Sequence, residues 1–334
     1  MSDYLQLVHS LEDIQPHDVE IHGGKATNLA KLARLGFLVP RSLSISSDAF
    51  TQMVESNQNL AVMLEKADNS DDFEELLEIS VNLQEVVENY KIPEELASEI
   101  AQSFNHLQKS TENSEFGFAV RSSATIEDRS DISFAGQAES YLCVMNETSI
   151  LESVKKVWQS AYSERAVIYL KTKEIPLKHV KMAVVVQEMM QVNISGVMFT
   201  ANVVNNSTDE MLINATWGLG DSLVSGKIVP DTYILTKNPM SVIQRNLGEK
   251  EFTSQLEMNQ PALVTTPEHK QLKYTLDDQT LFDIAEVGMK IESGMESPQD
   301  IEWCIGPDGG LVILQSRPIT TLSVPSSHEV KSQE

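Results

Sequence analysis

Cysteine is scarce in this chain, with two in 334 residues, Cys143 and Cys304. Two distant thiols offer no disulfide framework and no metal-ligand spacing. Both lie in apolar, strand-like runs, as expected of small buried hydrophobes. Positive charge is also in short supply. The 25 Lys and Arg stand against 49 Asp and Glu, a formal net charge of -24. That balance argues against nucleic acid or an anionic membrane as partner, because both reward clustered basic residues. It does not argue against a nucleotide, which needs only a few cations placed locally. No apolar run is long enough to span a bilayer. The opening Met1-Ser2-Asp3-Tyr4 lacks the basic and apolar segments of a secretion signal. A reducing cytoplasm is the expected setting. Internal repeats and low-complexity tracts are missing as well.

What is present fits a globular protein, with 41% hydrophobic and 22% charged residues and a length suited to one large or two modest domains. His22-Gly23-Gly24-Lys25 opens a helical pattern with Ala26, Leu29, Leu32 and Ala33 on one face, and Gly36 is placed to cap its end. Ser47-Asp48 reads as the N-cap of a short helix. Residues 60–110 are acidic and helical, with Phe73, Leu76, Leu83 and Tyr90 in phase and a new helix starting at Pro93-Glu94-Glu95. Their charge reads as a solvated face. Phe118–Val120 and Ser140–Val144 predict strands around a polar loop. Ser149-Ile150-Leu151-Glu152 fits a capping box heading a helix with Val154, Val157, Trp158 and Ala161 inside. Beyond a charged connector at 171–181 the pattern turns to strands at 183–186, 196–199 and 210–214, then to helix at 277–293. A division near residue 180 is therefore expected. It gives an N-terminal portion 1–180, a strand-rich portion 181–325, and a polar tail 326–334.

The strongest local signal is at the end of the chain. Two apolar runs, Asp300–Ile305 and Leu311–Pro318, flank Gly306-Pro307-Asp308-Gly309-Gly310, a hairpin pattern. Pairing Gly306 with Leu311 sets Glu302 opposite Gln315 and Asp300 opposite Arg317, all on one face. Carboxylates, an amide oxygen and a guanidinium make a poor core but a good site for a hard cation and a polyphosphate. Other segments carry weaker signals. Gly23-Gly24-Lys25 at a helix start can cradle an anion with free N–H groups and a mobile charge. Read alone it is also a Gly-rich turn with a surface lysine. Arg121-Ser122-Ser123-Ala124-Thr125-Ile126-Glu127-Asp128 supplies hydroxyls and an arginine suited to wrapping phosphates, or forms a polar surface loop. Gln187-Glu188-Met189-Met190 ends an apolar strand whose backbone could meet a purine edge, or is an ordinary strand end with core methionines. Trp217-Gly218-Leu219-Gly220-Asp221 is Gly-rich but lacks the lysine–serine pair of a P-loop. Nucleophile-elbow and kinase signatures do not appear. His22 is the one suggestive histidine, and a non-catalytic role is favoured for it.

Taken together, these pieces resemble the nucleotide-binding domain of the phosphoenolpyruvate synthase, pyruvate phosphate dikinase and rifampicin phosphotransferase family. They are joined by Ser133-Phe134-Ala135-Gly136-Gln137, Ser163-Glu164-Arg165-Ala166, Gly196-Val197-Met198-Phe199-Thr200 and Gln299-Asp300-Ile301-Glu302-Trp303 with Gln315-Ser316-Arg317-Pro318. The order is the family's, over roughly residues 20–322. The resemblance implies an α+β, ATP-grasp-like fold whose two lobes close over ATP. It implies that Lys25, Arg121 and Arg317 act on the phosphates, helped by Gly23, Gly24, Ser122 and Thr125. Gln187, Glu188, Met189 and Met190 would meet adenine, and Glu302 and Gln315 would hold Mg2+. Glu164-Arg165 matches a helix whose arginine assists. Asp221 stands where many relatives have Glu, which could alter a second metal or a lid contact.

The family chemistry implied is cleavage of ATP to AMP with phosphoryl transfer through a histidine. These residues contain no Gly-rich segment with a histidine set to carry phosphate. The expected acceptor is thus a phosphohistidine domain on a partner chain, or a small molecule phosphorylated directly. Two other classes stay open. An ATP-grasp ligase making an acyl phosphate would yield ADP, and a non-catalytic nucleotide-binding regulator would yield neither product. An excised domain of a longer enzyme is equally compatible with the sequence.

Overall fold

The computed structural model describes residues 6–111, 114–125, 140–257, 260–320 and 322. Ile126, Glu127, Asp128, the Ser133–Gln137 motif and the tail at 326–334 lie outside the described residues. Two antiparallel sheets packed against helices make the fold α+β, as expected. The first sheet holds β1 (Val8–Ser10), β2 (Ser42–Ile45), β3 (Phe118–Ala124), β4 (Ser140–Val144) and β5 (Met182–Glu188) in the order β1-β2-β5-β3-β4. The expected division near residue 180 therefore moves. The Val-rich strand after it is the centre of the first sheet, and the chain crosses to the second sheet between Glu188 and Ile194. Buried on both faces, β5 reads as a continuous apolar run rather than an alternating one, which made it look like the start of something new.

One face of this sheet packs on a helical layer: α2 (Ser47–Ser56), α3 (Gln58–Asn69), α4 (Phe73–Glu88), α5 (Glu94–Ser110), α6 (Glu147–Ser160) and α7 (Glu164–Thr172). Phe118, Val120, Val184 and Val186 meet Leu83, Phe104, Val157 and Trp158 in one core. Burying each such side chain contributes about 1.5–3 kcal/mol. The predicted capping box shifts by one turn. Asn146 is the N-cap and Ser149, its N3 partner, answers it. The cap of α2 is Ser46, one residue before the predicted pair. Phe73 is exposed rather than in phase with Leu76 and Leu83.

The second sheet runs β13 (Leu311–Pro318), β12 (Gln299–Ile305), β6 (Ile194–Phe199), β7 (Glu210–Trp217), β8 (Asp231–Lys237) and β9 (Met240–Asn246), spatially in that order. Its apolar face, with Met198, Ile213, Tyr233, Ile301 and Trp303, packs on Leu281, Ile284 and Ile291 of α10 (Asp278–Met295). Gly196 is glycine because a Cβ would stand 2.2 Å from the Trp303 ring. A separate hairpin, β10 (Phe252–Glu257) with β11 (Gln260–Thr265), and two one-turn helices, α8 (Asp221–Val224) and α9 (Glu268–Gln271), complete the elements. Among the described residues no helix is long and apolar enough to cross a membrane.

Helix α1 (Val19–Arg34) joins the two halves. Ala26, Leu29 and Ala30 pack with Val185 of the first sheet, while Leu32 enters the core of the second. Ala33, expected inside, is exposed, and Ala30 takes the buried place. Gly36 adopts φ +87 and ends the helix as predicted, with its N–H on Ala33 O and the Phe37 N–H on Leu32 O.

A buried ion pair at the base of β10 has no counterpart in the sequence reading. Lys250 and Asp231 are both fully buried and in direct contact. Asp231 also accepts from the N–H of Gly248 (2.8 Å), the N–H of Thr275 (2.7 Å) and the Thr275 hydroxyl (2.9 Å). Lys250→Met leaves that carboxylate without its cation. We expect a loss of about 3–5 kcal/mol in urea unfolding; a loss below about 1 kcal/mol would show that the pair is dispensable.

Candidate functional site

The hairpin places its polar residues as the pattern predicted, by a different route. Glu302 is opposite Gln315 and Asp300 opposite Arg317. Near the turn, however, Ile305 rather than Gly306 pairs with Leu311, and the register shifts between Glu302 and Trp303. The extra residue is Leu314, a β-bulge that restores the outer pairs. Strand alternation sends Ile301 and Trp303 into the core, so Asp300 and Glu302 face the first sheet. Gln315, Glu302, Val197, Asn214 and Thr232 form one row across five strands. The Thr232 hydroxyl donates to Asn214 Oδ1 at 2.9 Å.

Arg121 comes to this face from the other sheet. Its segment is not the loop expected from composition, since β3 continues through Ala124. Alternation then separates the hydroxyls. Ser122 falls with Phe118, Val120 and Ala124 on the core face, and its buried Oγ has no partner among the described residues. That placement does not suit the expected side-chain contact with phosphate. Arg121 and Ser123 share the opposite face. Arg121 Nη2 donates to Glu302 Oε2 at 2.9 Å and Nη1 to Gln187 Oε1 at 3.1 Å. The ion pair is largely shielded, with side-chain exposures of 16% for Arg121 and 21% for Glu302. Beside it, Arg317 Nε and Nη2 both donate to Asp300 Oδ2, at 2.9 and 2.7 Å. Burial raises the Asp300 carboxyl above the ordinary range, opposed by the Arg317 charge.

Gly23 marks a break inside α1, with φ 69 and ψ 171, and a Cβ there would lie 2.2 Å from Ser123 O. Only glycine meets both demands. The helix restarts at Gly24-Lys25, so the expected helix start is real, and Lys25 is half-buried on its first turn. Ser123 braces the break. Its hydroxyl donates to His22 O at 2.8 Å and lies 3.4 Å from the N–H of Ala26. Ser123 was not among the expected site residues, and only strand alternation from Arg121 could have found it. His22 is 3% exposed, with Nδ1 3.0 Å from Ser44 Oγ. Burial, and next the charge of neighbouring His9, push its pKa down to about 4.

The expected adenine segment is only partly available. The N–H of Glu188 is bonded to Arg41 O and that of Met189 to Gly117 O, so those two donors are not offered to a base. Glu188 and Met189 are buried, and Met190 is half-buried. Met189 Sδ accepts from the N–H of Cys143 at 3.1 Å. Cys143 is half-buried with φ 60, unlike the buried hydrophobe expected. Its thiol is raised by burial and then by the charge of Asp221. Cys304 is buried as expected. Thr125 is buried, with its N–H on Lys181 O. Arg165 is exposed on α7, which packs on α4 in the helical layer, and is not brought to Arg121 or Glu302.

Gln315 is 6% exposed and its Oε1 is buried with no partner among the described residues. An orphaned acceptor beside a carboxylate fits a hard cation. Among the described residues no group of three or more His, Cys, Asp or Glu is placed to hold a metal ion.

Comparison with known proteins identifies the family. A family model described as the pyruvate phosphate dikinase AMP/ATP-binding domain matches residues 19–334. A probable phosphoenolpyruvate synthase of Pyrococcus horikoshii is 34% identical over 97% of the chain and 44% of its own length. Another, from Methanothermobacter thermautotrophicus, is 34% identical over 99% of the chain and 48% of its own length. The rifampicin phosphotransferase of Streptomyces sviceus is 35% identical over 96% of the chain and 36% of its own length. The chain spans less than half the length of each. A solved D-cycloserine synthetase structure covers 89% of this chain, and the chain covers 64% of it, at 10% identity and a TM-score of 0.26, too low to bear on the fold.

The buried imidazole has a pH signature. His22 stays neutral in the fold down to about pH 4, whereas the unfolded side chain protonates near its ordinary value of 6.5. Its contribution is complete above 6.5 and is lost as pH falls towards 4, by up to about 3 kcal/mol. His22→Gln should flatten that part of the stability–pH curve in denaturant titrations. An unchanged slope between those limits would contradict the assignment.

Proposed function

This chain belongs to the pyruvate phosphate dikinase AMP/ATP-binding domain family, and from that premise we propose that it binds Mg-ATP where its two sheets face each other and passes a phosphoryl group onward. The observation that carries the reading is the convergence of Arg121, from one sheet, with Glu302, Gln315 and Arg317, from the other. The two halves are read as ATP-grasp-like lobes, with the lobe boundary after Glu188 rather than near residue 180.

Glu302 and the orphaned amide oxygen of Gln315 would hold Mg2+, which when bound would neutralise phosphate charge. Arg121 and Arg317 already have guanidinium groups fixed by Glu302, Gln187 and Asp300. Such fixed forks suit phosphate oxygens, because little order remains to be gained on binding. Lys25 on the restarted helix adds charge from the remaining side, next to the Gly23-Gly24 backbone. The Met189–Met190 end of the cleft, with Cys143 and Asp221, takes the base. Phosphoryl transfer needs little else, since positioning and charge stabilisation dominate its catalysis. The acceptor is a histidine of a phosphohistidine domain or a small molecule.

Identifying the nucleotide product tests the reaction. Labelled ATP should give AMP when a phosphohistidine partner is supplied, with the β- and γ-phosphates leaving the nucleotide together for the histidine. ADP would point to direct γ-phosphoryl transfer to a small acceptor or to an acyl-phosphate ligase, and binding without turnover to a regulator. Glu302→Ala should abolish Mg-dependent turnover while circular dichroism stays unchanged. Arg121→Lys should lose about 100-fold, because one point charge replaces a fork. Wild-type turnover by either variant would refute its role.

A further inference from the structure

Gln187 makes two bonds that only an amide can make together. Its Oε1 accepts from Arg121 Nη1 at 3.1 Å, and its Nε2 donates to Leu314 O at 3.0 Å. A guanidinium only donates and a carbonyl only accepts, so one orientation of the amide satisfies both. Leu314 is the bulged residue between the pairs Glu302–Gln315 and Trp303–Ile313. A bulge releases its backbone groups from the strand ladder, and here the released carbonyl is taken up by the opposite sheet. Gln187 is 3% exposed, with its amide between the sheets.

We propose that Gln187 is a positioning residue rather than a contact for the base. It holds the Arg121 guanidinium towards Glu302 and pins the bulge that sets Glu302, Gln315 and Arg317 in register. Through these two bonds it fixes the phosphate and metal groups of both sheets in one geometry. A Glu at this position would keep the bond to Arg121 but repel the Leu314 carbonyl. A Met would lose both bonds at nearly constant volume. This deepens the Mg-ATP reading and rests on it.

Calorimetry with Mg-ATP and with AMP separates the two roles, because AMP lacks the β- and γ-phosphates. Gln187→Met should weaken Mg-ATP binding about tenfold and leave AMP within about twofold of wild type. In an Arg121→Ala background the same substitution should cost clearly less than it does alone, since the part of its effect that runs through Arg121 is already lost. Hydrogen exchange over residues 312–315 should accelerate in Gln187→Met. Should that variant fail to fold, Gln187→Glu carries the same ATP-to-AMP comparison, with a smaller loss for ATP expected. Equal losses for ATP and AMP, or additivity with Arg121→Ala, would overturn the proposal and restore a base contact. Wild-type protein that binds neither nucleotide would instead overturn the Mg-ATP reading itself.

Discussion

The Arg121–Glu302 ion pair is the contact on which the arrangement of this molecule turns. It links residues 181 apart in the chain and belongs to neither sheet alone. Two charges so far out of water would cost more than their attraction returns unless further hydrogen bonds serve them. Gln187 supplies one. Asp300 and Arg317, the next cross-strand pair, satisfy each other alongside. The result is a polar layer between two apolar-backed sheets. Such a layer contributes little net stability but fixes how the sheets meet.

Two local irregularities make that layer possible. The bulge at Leu314 lets a tight turn coexist with the Glu302–Gln315 pairing and frees a carbonyl for the other sheet. The break at Gly23 lets α1 restart beside β3, braced by Ser123. Past the break the same helix packs on both sheets, through Ala26 and Leu29 on one side and Leu32 on the other. Asn28 Nδ2 adds a bond of 3.1 Å to Ser316 O on the edge strand of the second sheet. Two surface concavities lie elsewhere. One of about 410 Å3 beside Arg41 and His106 and one of about 530 Å3 beside Asn57 and Tyr90 hold none of the converging groups.

Legibility in the sequence followed the range of the forces involved. The hairpin pairs were readable because alternation and a Gly-rich turn are local, though the expected turn was one residue too short and the bulge offset the error. The helix ends at Gly36 and Pro93 were readable for the same reason. The strand through Arg121–Ala124 was hidden because its polar residues mimic a loop, and so Ser123 was passed over in favour of Ser122. The strands between 231 and 265 gave little signal. The Asp231–Lys250 pair gave none, because one Asp and one Lys 19 residues apart look like any two surface charges. The role of Gln187 required knowing that β5 lies beside β3 in the first sheet, which no local pattern states.

The central claim is that Glu302 and Gln315 form the cation site of a bound nucleotide. Anomalous diffraction from Mn2+, in crystals grown with a non-hydrolysable ATP analogue, tests it most directly. The predicted result is a single manganese peak within about 2.3 Å of oxygens from both side chains and bridged to phosphate. A manganese–nucleotide peak away from these residues, with the Arg121–Glu302 pair undisturbed, would contradict the account.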